Sequence, residues 1–271
     1  MSTVAIIGLG AIGGEAAEKL AEGKNGRTYT ISGYDIRPER LTELSPILRP
    51  AATPAEASEG VDVVLVAVMN DAQVRDVLTG EGGILSAKTL PKAVLILSTI
   101  TLPTVFWAFD ECAAKGVALL DSAVSGHPMT SMVGGEDAGF EIVRPVIEGY
   151  SYSVVHCGKL GNGMRAKLAR NLIIYTDWVT AWEGARLALA AGVPLDKFVE
   201  VVTSSDKWVR PHMDMVAEGT GIGVGESQRA STAAYAEKDL RAALALGKEL
   251  GVDLPAATLA VGRFPAAAGL K

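Results

Sequence analysis

Two groups of residues in this 271-residue chain have types and spacing suited to chemistry. Gly8, Gly10 and Gly13 form a G-x-G-x-x-G pattern directly after the apolar run Val4-Ala5-Ile6-Ile7. In such a pattern the first glycine allows a tight turn, the second lets the backbone approach a pyrophosphate, and the third lets the helix pack close to the strand. The backbone from Leu9 through Ala11 and Ile12 to Gly13 then opens the helix, and its amides face the phosphate charge. The second group is Lys167 and Asn171, four residues apart and therefore on one helix face. Oxidising an alcohol removes a hydroxyl proton as hydride departs. A lysine can take that proton when burial and cationic neighbours lower its pKa, and in reverse its ammonium protonates the developing alkoxide. Asn171 can orient either the substrate hydroxyl or the lysine. The two groups together point to nicotinamide-dependent redox chemistry.

The glycine pattern is discriminating only in context. Gly219-Thr220-Gly221-Ile222-Gly223-Val224-Gly225 is just as glycine-rich but follows no strand, and reads as an inter-helix loop. The N-terminal copy has its strand, its helix and a second strand ending at Gly33-Tyr34-Asp35. Asp35 can accept hydrogen bonds from both ribose hydroxyls and would repel a 2′-phosphate, which favours NAD. Arg37 and Arg40 follow it, and an arginine there can hold a 2′-phosphate, so NADP is the alternative.

The elements needed to position these groups are legible as a pattern. Val4–Ile7, Tyr29–Tyr34, Val61–Val68, Val94–Ser98, Ala118–Asp121 and Val154–Cys157 read as strands, several of them continuously apolar as in a parallel sheet covered on both faces. Helical stretches such as Gly13–Glu22 and Thr104–Lys115 lie between them. This predicts an α/β chain with an N-terminal doubly wound Rossmann sheet over residues 1–158, with Met69 and Asn70, after its third strand, as candidate cofactor-binding residues. The character changes near Gly158. From Gly163 to Ala191 there is no proline, and Leu168, Leu172, Tyr175, Val179 and Trp182 recur at alternating steps of four and three. That is a helical apolar stripe. Gly192-Val193-Pro194 stops it, and further helices are expected at Leu195–Thr203, Lys207–Glu218, Ala230–Leu250 and after Pro255. Residues 159–271 therefore read as an all-α domain, and the long aromatic-bearing helix leads us to expect a homodimer or larger homo-oligomer.

Composition narrows the setting. Hydrophobic residues make up 49% of the chain, enough for a sizeable core without staples. The two cysteines, Cys112 and Cys157, lack metal-ligand spacing, so no metal site and a reduced, cytoplasmic location are expected. A net charge of -6 without basic clusters argues against nucleic acid or an anionic membrane as partner. No basic n-region precedes the first strand, and no apolar run approaches the ~18 residues of a membrane span.

The sequence resembles the β-hydroxyacid dehydrogenase family, the group of 3-hydroxyisobutyrate dehydrogenase, tartronate semialdehyde reductase and the larger 6-phosphogluconate dehydrogenases. The likeness covers nearly the whole chain. Gly8 through Gly13 is similar to the family's G-L-G-x-M-G, with Ile12 for methionine. Leu97-Ser98-Thr99-Ile100 resembles its strand-end S-T motif, which implies contact between Thr99 and the nicotinamide side of the cofactor. Asp121-Ser122-Ala123-Val124-Ser125-Gly126 resembles its D-x-P-V-S-G substrate motif. Gly161 through Asn171 matches G-x-G-x-x-x-K-x-x-x-N, which implies Lys167 as acid/base and Asn171 as its partner. Lys238-Asp239-Leu240 matches K-D-L and implies Lys238 near the cofactor. The resemblance implies an NAD(P)-dependent oxidoreductase that interconverts a small β-hydroxy acid and its aldehyde or ketone, with the substrate bound between the domains.

Two departures stand out. Ala123 replaces the motif's proline. After Gly126 come His127-Pro128-Met129-Thr130-Ser131, and Val133-Gly134-Gly135 arrives about seven or eight residues early, so the substrate loop is shortened and the substrate cannot be carried over. Ser125 and the Gly126 amide suit a carboxylate. His127 reads either as a substrate-side acid/base or as a local hydrogen-bonding residue, and His156, in an apolar strand, as structural. Trp208 and Arg210 could close on an anionic substrate; core packing and a surface salt bridge are their alternatives. A semialdehyde or imine reductase using NADPH is the other enzymatic reading, though imine-reducing relatives usually replace the motif lysine. A non-catalytic nucleotide-binding module would lack the set Lys167, Asn171, Ser125 and Lys238.

Overall fold

A computed structural model describes residues 2–23, 26–205 and 226–270. The chain divides into two compact units, Met1–Lys167 and Leu168–Lys271. In the first, β1 (Ser2–Ile7), α1 (Ala11–Glu22), β2 (Tyr29–Tyr34), α2 (Pro38–Leu44), β3 (Arg49–Pro50), α3 (Pro54–Ser58), β4 (Val63–Val66), α4 (Asp71–Thr79), β5 (Ala93–Ile96), α5 (Leu102–Ala113) and β6 (Ala118–Ser125) alternate as a doubly wound fold must. β7 (Thr130–Gly134), α6 (Asp137–Tyr150) and β8 (Ser153–His156) complete it. The strands form one eight-stranded sheet in the order β3-β2-β1-β4-β5-β6-β7-β8. All neighbours pair in parallel except β6 and β7.

The apolar runs occupy the centre of the sheet for the expected reason. Every residue of β4 and β5, and Val4 through Ile7 of β1, is buried, because helices cover both faces. Leu20 of α1 and Val143, Val146, Ile147 and Tyr150 of α6 pack with β1, β4 and β5 in one core. β3, β7 and α6 are among the elements to which the sequence reading gave no range. β3 is only two residues long. β7 is short and begins with two polar residues, so no alternation announced it. α6 carries Pro145 inside it, which masked a stripe at Val143, Val146, Ile147 and Tyr150. β6 also runs four residues past its expected end at Asp121, out to Ser125. It closes on β7 through the pair Ser125–Thr130, so the shortened segment is a four-residue hairpin turn, Gly126 to Met129.

In the second unit the expected long helix is α7 (Asn162–Ala190), whose first residues belong to the first unit. α8 (Leu195–Ser205), α9 (Glu226–Leu250) and α10 (Pro255–Ala267) follow. The helix expected at Lys207–Glu218 lies outside the described residues. The α7 stripe finds apolar partners inside its own chain. Trp178 and Val179 pack with Ala236 and Leu240 of α9 and with Ala257, Ala260 and Phe264 of α10, and Leu172, Tyr175 and Trp182 flank them. Phe264 is the hub, edge-on to Tyr175 at 5.2 Å and to Trp178 at 5.1 Å. Among the described residues no helix is long and apolar enough to cross a membrane.

Candidate active site

The turn from β1 to α1 is shaped by missing side chains. Gly8 has φ +92°, and a Cβ on it would lie 2.5 Å from the Ala67 carbonyl oxygen; one on Gly13 would lie 1.9 Å from the Gly8 oxygen. Only glycine lets β1, β4 and α1 meet here. At Gly10 the nearest atom to a Cβ would be Arg37 Nη2 at 3.8 Å, an ordinary contact, so that position is not crowded by the protein itself. Gly10 caps α1 without a side-chain acceptor, and Ala11 is exposed. The first-turn amides are thus presented outward at the positive end of the helix dipole, which fits a pyrophosphate.

Asp35, at the end of β2, is buried, and its carboxylate is already engaged. Leu9 N–H donates to Oδ2 at 2.7 Å, and Arg37 donates through N–H (2.9 Å) and Nε (3.0 Å) to Oδ1 and through Nη2 to Oδ2 at 3.2 Å. Burial pushes its pKa up, but the Arg37 and Leu9 hydrogen bonds and the Arg37 charge outweigh it and hold the carboxyl below its ordinary value. Sequence reasoning weighed Arg37 as able to hold a 2′-phosphate and did not see that it grips Asp35. Arg40 instead donates from Nε to the Leu9 carbonyl at 2.8 Å and pairs with Glu43.

The ends of β4 and β5 lie beside this turn. Asn70 Oδ1 caps α4 by accepting from Gln73 N–H at 3.0 Å, and the exposed Met69 donates its N–H to Gln73 Oε1 at 2.8 Å. Ser98 Oγ accepts from Val68 N–H at 2.9 Å, tying the β4 end to the β5 end, where half-buried Thr99 follows.

Lys167 is 9% exposed. Its Nζ donates to the Val124 carbonyl at 2.7 Å and to Ser125 Oγ at 3.3 Å, so the amine reaches the end of β6. Gly126 follows at φ +82°, exposed. His127 is 77% exposed and pairs through Nδ1 with Glu15 of α1 at 3.0 Å. That contact links the hairpin turn to α1, and nothing in the sequence spacing signalled Glu15. His156 is as expected a local contact, within 2.9 Å of the Gly135 oxygen through Nε2 and stacked on Phe140.

The second unit holds Asn171 in a buried polar network. Asn171, 2% exposed, donates Nδ2 to Asp239 Oδ2 at 2.8 Å and accepts from Arg170 Nη1 at 3.0 Å. Lys238 Nζ lies 3.6 Å from Asp239 Oδ1. Burial lowers the Arg170 pKa, and burial, then the Asp239 charge, raise that of Tyr175. Asp239 is the residue the sequence reading passed over, although it stands in the K-D-L motif. Trp208 and Arg210 lie outside the described residues.

Comparison with known proteins adds a second line of observation. Residues 3–158 match the family model for the NAD binding domain of 6-phosphogluconate dehydrogenase, and residues 161–270 match that for the NAD-binding domain of NADP-dependent 3-hydroxyisobutyrate dehydrogenase. An uncharacterised oxidoreductase of Mycobacterium tuberculosis is 30% identical over 97% of this chain and 92% of its own length. An L-threonate dehydrogenase of Haemophilus influenzae is 31% identical over 80% of this chain and 75% of its own. The crystal structure of a 3-hydroxyisobutyrate dehydrogenase from Salmonella typhimurium superposes with a TM-score of 0.82 at 27% identity, covering 98% of this chain and 94% of that one.

Proposed function

This chain belongs to the β-hydroxyacid dehydrogenase family, and on that premise we propose that it oxidises a small hydroxy acid, or reduces the matching aldehyde or ketone, with Lys167 as the proton-transfer residue. It is an NAD(P)-dependent oxidoreductase. In this reading residues 1–158 carry the cofactor and 159–271 complete the substrate side. When bound, the nicotinamide supplies or accepts the hydride. Gly8, Gly10 and Gly13 with the first turn of α1 would hold the pyrophosphate, Asp35 would accept from the adenosine ribose, and Met69, Asn70, Thr99 and Lys238 would be further cofactor-binding residues. Ser125 Oγ and the Gly126 amide bind the substrate carboxylate. Lys167 takes the hydroxyl proton during oxidation and returns it during reduction. Asn171, fixed by Asp239, orients the reacting oxygen. The relatives named as 3-hydroxyisobutyrate and L-threonate dehydrogenases support a substrate that carries a hydroxyl close to a carboxylate. Ile173 and Leu187, exposed on α7, support the homodimer reading.

One observation carries the reading: a buried lysine whose amine meets the strand end that bears the substrate motif. The test is Lys167→Ala, assayed by NAD(P)H absorbance against a panel of hydroxy acids and semialdehydes. The expected result is a kcat lower by about 10²- to 10⁴-fold, the scale of a lost general acid/base, with NADH affinity within about two-fold of the parent. Near-normal turnover would overturn the assignment.

A further inference from the structure

Lys167 must be aimed, and a side chain of this length and freedom is not aimed by its own helix. We propose that Asp121 is its positioning residue, through a two-point clamp between β6 and the start of α7; the catalytic consequence rests on the reading of Lys167 given above.

Asp121 is the one carboxylate on β6, in the apolar context Leu119-Leu120-Asp121-Ser122-Ala123-Val124, and it is fully buried. It has no side-chain cation at hydrogen-bond distance among the described residues. Its partners are backbone amides of the α7 start: Gly161 N–H donates to Oδ1 and Met164 N–H donates to Oδ2, each at 2.6 Å. Both carboxylate oxygens are thereby spent on the first turn of one helix, where the dipole favours a negative charge. Burial raises the Asp121 pKa, and the two amides and the Arg165 charge oppose that rise.

The close approach is secured by absent side chains. A Cβ on Gly134 would lie 2.5 Å from Asp121 Oδ1 and 2.7 Å from the Gly163 nitrogen, and one on Gly163 would lie 2.3 Å from the Met132 oxygen. The start of α7 is therefore seated directly on β6 and β7. Three residues further along β6, the Val124 carbonyl takes the Lys167 amine, and Ser125 Oγ is its neighbour. The spans agree. From Asp121 to Val124 the strand advances about 10 Å, while α7 from Met164 to Lys167 rises about 4.5 Å, leaving roughly half the distance to an extended lysine side chain. Strand and helix run in the same sense from one shared anchor, so loss of the Asp121 anchor releases Lys167 from its place at the β6 end.

Two variants test this, Asp121→Asn, which keeps the shape and removes one acceptor, and Asp121→Ser, which is smaller and keeps a hydroxyl acceptor should the first fail to fold. Each is compared with the parent at a temperature well below its own unfolding transition. The direct readout is labelling of Lys167 by an amine-reactive reagent, followed by peptide mass spectrometry, with exposed Lys92 as internal reference. Labelling of Lys167 relative to Lys92 is expected to rise about ten-fold or more, as a buried amine becomes accessible through local opening. NADH affinity should stay within about two-fold while kcat falls about ten-fold or more, a split that a general loss of folding would not give. Unchanged Lys167 labelling in a folded variant would overturn the clamp. Raised labelling with unchanged kcat would support the clamp and overturn the role of Lys167 instead, so the two failures are told apart.

Discussion

The glycine turn of the first unit presents its surface mainly through backbone, whereas the surroundings of Asn171 in the second unit are made by side chains. Around Gly8 and Gly13 the decisive feature is what is missing: no Cβ, and so a helix start pressed against two strand ends with its amides outward. Around Asn171 it is a chain of side-chain contacts, Arg170 to Asn171 to Asp239 by hydrogen bonds and Asp239 to Lys238 by an ion pair, beside an apolar helical core. Backbone donors need no rotamer ordering and tolerate neighbours of many kinds. A buried network holds its groups more tightly but depends on every member, since one lost partner strands a polar group in low dielectric. The two units should therefore fail differently when damaged, the first by sterics at single glycines and the second by packing.

The largest effect on cofactor binding is expected at Gly13. Gly13→Ala puts a Cβ 1.9 Å from the Gly8 oxygen, which α1 cannot absorb without moving. Cofactor affinity, measured by calorimetry, should fall about 100-fold or more, roughly 3 kcal/mol. Gly10→Ala sharpens the point. Its Cβ meets nothing closer than 3.8 Å, so melting should not change, yet affinity should drop because the space it fills is the ligand's. Equal affinity in both variants and the parent would break the claim that this unit works through its backbone.

Next comes the hub of the helical core. Phe264 is fully buried and meets Tyr175 and Trp178 edge-on. Phe264→Ala should cost about 3–5 kcal/mol in denaturant unfolding. Below its transition the variant should bind NADH within about two-fold of the parent, as local truncations away from a ligand usually do. A change in stability under about 1 kcal/mol would show that the aromatic cluster is not what organises the second unit.

These contrasts also explain what could be read in advance. Glycine spacing is visible in a sequence because the absent Cβ is itself the signal, and the continuous runs Val4–Ile7 and Val63–Val66 announce a sheet covered on both faces. The α7 stripe was equally plain. What the pattern did not reveal depends on partners. β7 begins with Thr130-Ser131 and becomes a strand because it lies antiparallel to an extended β6. α6 is interrupted by Pro145, so its buried face emerges only against the sheet. Asp35 stood out in the sequence as the acid at the end of the second strand, but the grip of Arg37 on it did not, because an arginine just after such an acid was read only against an added phosphate or solvent. Asp121 and Asp239 were each written inside a motif. Their meaning came from which amides and amines faced them.

The Asp35–Arg37 pair gives a third, moderate prediction. With Arg37 turned onto Asp35 and Arg40 onto the Leu9 carbonyl, neither guanidinium is committed to an added phosphate, and Asp35 keeps a negative charge at the ribose position. NAD+ should bind about ten-fold or more tighter than NADP+ by equilibrium titration, and Asp35→Ala should narrow or reverse that ratio by freeing Arg37. Tighter NADP+ binding in the parent would show that Arg37 leaves Asp35 for the phosphate, and that a side chain, not the backbone, sets selectivity in this unit.

The smallest effect tests how much a side-chain tie adds to a unit built on backbone contacts. Asp62, ahead of β4, accepts from Thr3 N–H at 3.0 Å and Thr3 Oγ1 at 2.9 Å and pairs with Lys92 at 2.7 Å, fastening the starts of β1 and β4. The Lys92 interaction first, then the Thr3 amide, outweigh burial and lower its pKa from 3.8 to about 2. A carboxyl whose folded pKa is depressed stabilises the protein above its unfolded pKa and loses that contribution as pH falls through the folded value. The gap in melting temperature between the parent and Asp62→Asn should thus be full at neutral pH, begin to close near the ordinary carboxylate pKa and vanish toward about pH 2. Because Lys92 is 69% exposed, solvent screening keeps the contribution on the order of 1 kcal/mol or less. A gap that stays constant with pH would mean that the tie acts through its shape and its neutral hydrogen bonds, and would leave the first unit dependent on backbone even at the starts of its central strands.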